Sequence, residues 1–146
     1  PARTWNGGIS EMLYALDTDT CIDLLRGASP TAEERLRERS PNQIAIPTVV
    51  YAELLLGAEV SEKKRENRWL VERLVAPLRL LDFDAAAATA YASIRAALQA
   101  EGRIIGPNDL LIAATALAHQ ALLVTANTRE FERVPGLRVE DWAVTS

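Results

Sequence analysis

The sequence predicts an α/β fold in which a central, mainly parallel sheet of four to five strands is flanked by helices. Short apolar runs bounded by turn signals recur along the chain and are typical of buried strands. Longer segments with helical periodicity separate these runs, and this alternation indicates βαβ units and a parallel sheet. The predicted strands cover residues 12–16, 44–46, 78–81, 121–124 and 137–139, the last of them at an edge of the sheet.

Cap and stop signals place helices between these strands. Gly27 and Gly102 are stop signals, whereas Ser29-Pro30 and Asp84 are start signals. The predicted helices cover residues 19–27, 49–59, 61–76, 85–100 and 110–118. A further helix opens at residues 29–31, and one helical turn lies within residues 125–131.

The composition is that of an ordinary globular domain, with 49% hydrophobic and 25% charged residues. A formal net charge of −4 disfavours a protein that binds nucleic acid by bulk charge alone. No apolar run approaches the length of a membrane span, and no signal peptide is visible. We interpret residues 1–11 as the remnant of an expression tag and residues 12–146 as a single domain.

The chain has one cysteine, Cys21, and one histidine, His119. A single cysteine excludes an internal disulfide framework and fits a reducing cytoplasm. Cys21 lies in an apolar helical pattern, so we expect a small core residue. Since no motif links it to the distant His119, a serine or cysteine hydrolase with a histidine base is disfavoured.

Asp17 follows the first predicted strand and opens the acidic, hydroxyl-rich stretch Asp17-Thr18-Asp19-Thr20. In an open α/β sheet, ligands bind outside the carboxyl ends of the strands. Asp17 is therefore predicted at the mouth of a site. The alternative is that Asp17 or Thr18 merely caps the next helix.

Three further polar residues stand where the local pattern is apolar. Glu53 interrupts an apolar helix, and a buried carboxylate needs a cation or several donors; alternatively it lies exposed on the outer face. Asp109 begins an apolar helix after a Gly-Pro-Asn turn, where acids are also favoured by the helix dipole alone. Asn127 follows the fourth strand together with Thr125, which is also typical of an ordinary turn.

In a doubly wound sheet, Asp17, Glu53, Asp109 and Asn127 can converge on one edge. Three carboxylates without a histidine or thiol form a hard oxygen site, which selects Mg²⁺ or Mn²⁺ over Zn²⁺. Such sites commonly bind phosphate and cut it with metal-activated water. The pattern therefore predicts metal-dependent cleavage of a phosphate ester.

Four motifs stand at these positions: Leu16-Asp17-Thr18, Tyr51-Ala52-Glu53-Leu54, residues 105–114 and residues 123–131. Together they resemble PIN-domain ribonucleases, and more narrowly the VapC-type toxins of bacterial toxin–antitoxin pairs. The similarity runs over residues 12–142. The resemblance implies a PIN-like three-layer fold and an endoribonuclease that cuts structured or single-stranded RNA.

The same resemblance implies a role for each site residue. Asp17, Glu53 and Asp109 would be the catalytic and metal-binding acids, with one or two Mg²⁺ or Mn²⁺ ions. Asn127 matches a position where many PIN domains carry a fourth acid. Asp19 matches a position where many of them carry Asn. Asp19 would therefore either add a carboxylate at the rim of the site or act as a helix cap. Accessory residues that could orient water or phosphate are Thr18, Thr125 and Asn127.

Partners follow from the resemblance as well: an RNA substrate, a cognate VapB-like antitoxin and a second copy of the chain in a homodimer. Large apolar residues on the first, third and fourth helices predict a groove for an amphipathic antitoxin segment, whose Arg or Lys could enter the acidic pocket. The alternative is that these residues are core or dimer interface. They are Ile22, Leu24, Leu25, Leu55, Leu56, Trp69 and Leu70, and the basic residues that could hold RNA are Arg95, Arg103 and Arg129.

Two other functions compete with a ribonuclease. Asp17-Thr18-Asp19 resembles the Asp-x-Asp opening of haloacid-dehalogenase-like phosphatases, but Cys21 stands where that motif has Thr or Val, and no later acidic pair with the usual glycine follows. A non-catalytic PIN binding subunit is the second. Such members tend to have lost the acids, and all three are present here.

Overall fold

The strand Tyr14–Leu16 (β1) is the centre of a five-stranded sheet in which every pair of neighbouring strands is parallel. The computed structural model describes residues 12–144. The other strands are Ile44–Pro47 (β2), Arg79–Leu81 (β3), Leu122–Val124 (β4) and Val139–Glu140 (β5), and their spatial order is β3-β2-β1-β4-β5. This is the predicted fold class.

Helices connect successive strands. They are Thr18–Arg26 (α1), Pro30–Arg37 (α2), Thr48–Glu59 (α3), Lys64–Val75 (α4), Ala85–Ala100 (α5), Pro107–Ala118 (α6) and Thr128–Phe131 (α7), with a 3₁₀ turn at Pro41–Gln43. The chain moves from β1 outward to β3 and then returns across the sheet to β4. Right-handed crossovers therefore place α1 to α4 over one face and α5 to α7 over the other.

The core lies on both sides of β1, β2 and β4, whose residues are almost entirely buried. Burial on both faces explains why these strands read as continuous apolar runs rather than as alternating patterns. Cys21 is fully buried, as predicted, and burial raises the pKa of its thiol. Within residues 12–144, no helix is both long and apolar enough to cross a membrane.

Most predicted boundaries agree with the structure within a few residues, and three differences have a physical cause. The helix α6 begins at Pro107 rather than Leu110, because proline is pre-organised for the first helical position. The helix α4 begins at Lys64 rather than Ser61, since residues 61–63 form a turn. The edge strand begins at Val139 rather than Leu137, because the chain first turns through Gly136 with φ of 82°.

The expectation that residues 1–11 are a tag remnant lies outside the described residues.

Candidate functional site

Asp17 and Thr125 follow two neighbouring strands at their carboxyl ends. Leu16 of β1 pairs with Val124 of β4, so the next residue of each strand lies opposite the other. The Thr125 hydroxyl donates to Asp17 Oδ2 at 2.8 Å, and the Thr18 backbone N–H donates to Asp17 Oδ1 at 2.8 Å. Asp17 therefore caps α1, which was the alternative interpretation, and it also lies at the carboxyl edge of the sheet, where the site is predicted.

Glu53 projects from α3 toward the same edge and is half-buried. The Thr18 hydroxyl donates to Glu53 Oε1, and the Asn108 side-chain amide donates to Glu53 Oε2 at 2.9 Å. The prediction that this carboxylate meets several donors is confirmed, and its placement on the outer face is wrong.

Asp109 lies in the first turn of α6, next to Asn108. Its pKa is raised to about 6, mainly by burial and in addition by the nearby carboxylates of Glu130, Glu53 and Asp19. The pKa of Asp17 is raised to about 7, mainly by burial; the hydrogen bonds from Thr125 and Thr18 oppose the rise, and the charges of Asp19 and Asp109 contribute to it.

The pKa of Asp19 is also raised, mainly by burial, while hydrogen bonds at its carboxylate lower it. The charges of Asp19 and Asp109 act on Asp17, and those of Glu130, Glu53 and Asp19 act on Asp109, so these carboxylates lie near one another. We call Asp17, Asp19, Glu53, Asp109 and Glu130 the acidic cluster. Among residues 12–144, no lysine, arginine or histidine forms an ion pair with any of its members.

Glu130 was not among the predicted site residues. It lies in the single turn of α7, where its Oε2 accepts from the Asn127 side-chain amide at 3.2 Å. Asn127 in turn donates its backbone N–H to the Thr125 hydroxyl at 3.0 Å. The signal in the sequence is its spacing of three residues after Asn127, which places both on one side of a helical turn that follows a strand end.

The predicted accessory residues thus contact acids directly. Thr18, Thr125 and Asn127 each donate a hydrogen bond to a carboxylate of the acidic cluster. Asn108 does the same and was not singled out from the sequence. Asp19 is half-buried and accepts a long hydrogen bond from Thr20, at 3.4 Å.

The donor chemistry fits a hard divalent cation, because every candidate ligand is an oxygen and the clustered negative charge has no cationic partner among the described residues. Within the same residues, no three His, Cys, Asp or Glu side chains stand together in a position to hold a metal ion. The oxygens of Asp17 and Glu53 accept hydrogen bonds from hydroxyl and amide donors. Metal ligation would replace some of these bonds or occur through water.

An apolar groove runs along α4, between it and α1. Its larger half has a cavity volume of about 620 Å³ and is lined by residues that include Leu24, Leu25, Leu70 and Leu74. Its smaller half shares Leu25 and Leu70 and reaches Glu53. Of the residues predicted around this groove, Ile22, Leu24, Leu25 and Leu70 line it, whereas Leu55, Leu56 and Trp69 do not. Its occupant remains a prediction.

Other predicted surface residues are placed as follows. Leu56 and Trp69 are exposed, at 61% and 55% of their full accessibility. Arg95, Arg103 and Arg129 are exposed as well. Their contact with RNA stays a prediction.

The chain matches the PIN domain family over residues 14–137. It is 42% identical over 130 residues to the tRNA(fMet)-specific endonuclease VapC of Shigella flexneri, covering 89% of this chain and 98% of that one. It is 39% identical to ribonuclease VapC2 of Rickettsia felis, covering 90% of this chain and 98% of the relative. Its fold is similar to that in the crystal structure of DNA-bound VapBC from Salmonella typhimurium, with a TM-score of 0.85, 37% identity, and coverage of 90% and 98%.

Proposed function

This chain belongs to the PIN domain family and is a VapC-type ribonuclease, and from that premise we propose that Asp17, Glu53 and Asp109 are its catalytic and Mg²⁺- or Mn²⁺-binding residues. Glu130 joins them as a fourth acid. The observation that supports the proposal is that Thr18 bonds to both Asp17 and Glu53 at one sheet edge, while Asp17 and Asp109 have raised pKa values and none of these carboxylates has a cationic partner among residues 12–144. Such a cluster is stabilised by a bound divalent cation.

The chain's own donors prepare these acids for the reaction. Asp17 accepts hydrogen bonds from the Thr125 hydroxyl and the Thr18 backbone N–H. Glu53 accepts from the side chains of Thr18 and Asn108, and Glu130 accepts from the side chain of Asn127. The donors to Asp17 favour its ionised form, which is the form that binds cations. A divalent cation held by Asp17, Glu53 and Asp109 would supply charge stabilisation at the phosphate and would lower the pKa of a water. Hydrolysis would join a water oxygen to phosphorus and break one phosphodiester P–O bond, and a proton from the water would pass to the leaving oxygen.

A transfer RNA is the substrate class that we propose first. The support is the name of the Shigella flexneri relative, a tRNA(fMet)-specific endonuclease to which this chain is 42% identical over nearly that protein's whole length. An RNA substrate also implies that the chain acts in the cytoplasm.

A VapB-like antitoxin is the partner that we propose for the groove along α4. The support is twofold: solved relatives are VapBC complexes, and the groove leads from Leu70 to Glu53 at the acidic cluster. An amphipathic segment in the groove would bring an Arg or Lys to that cluster. We also propose a homodimer, supported by the exposure of Leu56 and Val60, at 61% and 75%, near the end of α3.

The deciding experiment is an RNA cleavage assay. Total RNA and an initiator tRNA transcript are incubated with the purified chain in Mg²⁺, in a chelator, and in Mg²⁺ with the antitoxin. We expect discrete internal fragments only in Mg²⁺ without antitoxin. Cleavage that persists in chelator, or release of phosphate from monoesters through a phosphoaspartate intermediate, would overturn the proposal.

A further inference from the structure

The two halves of the groove along α4 differ in charge. The larger half lies toward the C-terminal ends of α2 and α4 and is lined by three arginines, Arg37, Arg39 and Arg73, and by no acidic residue. We call it the arginine end. The smaller half is lined by Arg26 and Glu53, whose charges balance, and the acidic cluster lies beyond Glu53. A chain of net charge −4 thus places local positive charge at one end of an apolar groove.

The three arginines are available to a partner to different degrees. Arg73 lies over the ring of Trp69, with its guanidinium carbon 5.1 Å from the ring centroid, and pairs with no carboxylate within residues 12–144. Arg37 pairs with Glu33 at 3.8 Å, but its side chain is 70% exposed. Exposed pairs of this kind contribute little to stability, so a partner's carboxylate can replace Glu33 at Arg37.

Arg39 is held in a fixed position. Its guanidinium carbon lies 4.6 Å from the ring centroid of Tyr14 and 4.8 Å from that of Trp142, it donates to the Arg35 carbonyl at 2.6 Å, and it pairs with the exposed carboxylate of Glu38 at 3.8 Å. A guanidinium held over two adjacent rings loses little conformational freedom when a partner's carboxylate replaces an exposed one beside it. The arginine end therefore presents one pre-organised guanidinium and two more exposed ones beside apolar side chains.

We propose that the arginine end selects an antitoxin segment that carries acidic side chains next to its apolar ones. This inference rests on the proposed function, because it names the chemistry of the antitoxin that occupies the groove. Carboxylates of that segment pair with Arg37, Arg39 and Arg73, while its leucine-like side chains cover Leu25, Leu70 and Leu74. Since the acidic cluster lies beyond the opposite end, the bound segment is ordered by charge, acidic over the arginine end and basic toward Glu53. The two charged ends fix its direction in the groove.

The test compares two charge-reversed variants that share the same change in net charge. Arg37→Glu/Arg73→Glu reverses the arginine end, whereas Arg79→Glu/Arg138→Glu reverses two exposed arginines that do not line the groove. The probe is the purified product of the gene adjacent to that of this chain. Its dissociation constant is measured by calorimetry at low and high salt, and RNA cleavage by each free variant is measured in parallel.

We expect the groove variant to bind the antitoxin at least about tenfold more weakly than the parent, because each reversal places like charges together. Its affinity should also depend less on salt than that of the parent. The control variant should bind within about threefold of the parent, and both free variants should cleave RNA normally. Equal binding by the groove and control variants would overturn the inference and leave the proposed function standing. Failure of the parent to bind the antitoxin would overturn both the partner proposal and this inference, whereas loss of Mg²⁺-dependent cleavage alone would overturn only the nuclease part.

Discussion

The hydroxyl of Thr18 donates a hydrogen bond to the carboxylate of Glu53, although the two residues are 35 positions apart in the chain. The backbone N–H of Thr18 donates to Asp17. One residue at the start of α1 therefore ties together two acids that come from different elements. The orientation of Glu53 depends on a side chain that looks in the sequence like a simple helix-start residue.

Replacement of Thr18 should test this orientation. In Thr18→Val the shape of the side chain and the backbone contact to Asp17 are kept, but Glu53 loses one of its two donors. We expect RNA cleavage to fall by roughly 10- to 100-fold, as is usual when a residue that orients a metal ligand is lost. Thr18→Ser retains the hydroxyl and should cleave nearly as well as the parent. Normal cleavage by Thr18→Val together with a loss in Thr18→Ser would show that the methyl group, rather than the hydrogen bond, matters.

Asp109→Asn should separate an effect on RNA cleavage from an effect on the stability of the fold. Neutralising one member of a crowded acidic cluster removes cation attraction but also relieves repulsion from Glu130, Glu53 and Asp19. Cleavage should fall by at least about 100-fold, while the melting temperature in metal-free buffer should not fall.

Asp84 offers a matched control, because it is an acid that caps α5 through the backbone N–H of Ala87, at 2.9 Å. Asp84→Ala should lower the free energy of unfolding by about 1 kcal/mol without loss of cleavage. If Asp109→Asn were destabilised in the same way in the absence of metal, Asp109 would be a structural cap.

Thr125 is predicted to matter for both stability and acidity. In Thr125→Val, a buried oxygen of Asp17 loses its donor and the backbone N–H of Asn127 loses its acceptor. We expect the free energy of unfolding to fall by about 1–3 kcal/mol, which chemical denaturation would measure. The pKa of Asp17 should rise further, because the Thr125 hydrogen bond lowers it in the parent. Thr125→Ser should restore both properties; unchanged stability in Thr125→Val would contradict the hydrogen-bond account.

Stability should depend on pH through Asp17 and Asp109. Their pKa values are raised to about 7 and about 6 from the unfolded value of 3.8, so between about pH 4 and pH 7 the folded chain binds more protons than the unfolded chain. The free energy of unfolding in metal-free buffer should therefore fall as the pH rises across this window. Because Mg²⁺ binds ionised carboxylates, it should raise the melting temperature more at about pH 8 than at about pH 5.

Thermal melts at the two pH values, with and without Mg²⁺, measure this dependence. Asp109→Asn provides the control, because one of the two titrating groups is absent and the pH dependence should be shallower. An identical pH profile for the parent and the variant would show that other groups govern it.

The sequence was sufficient for those features that rest on local pattern. Apolar runs followed by polar residues located Asp17 and Thr125 at strand ends, and the break in an apolar helix located Glu53. Glu130 was missed because, in a single helical turn, its spacing of three residues from Asn127 is the one signal that points to it. The role of Asn108 was missed for a different reason: its partner Glu53 is 55 positions away, and only the packing of α3 near the start of α6 brings the two together.

The central claim is that one metal site formed by the acidic cluster carries out RNA cleavage. The most direct test is a Mn²⁺ titration in which bound metal, measured by electron paramagnetic resonance, and cleavage of one tRNA transcript are followed in the same samples. The account predicts that occupancy and cleavage rise together in the parent, and that both are lost in Glu53→Gln/Asp109→Asn. Cleavage that reaches its maximum before Mn²⁺ binds, or that persists in the double variant, would contradict it.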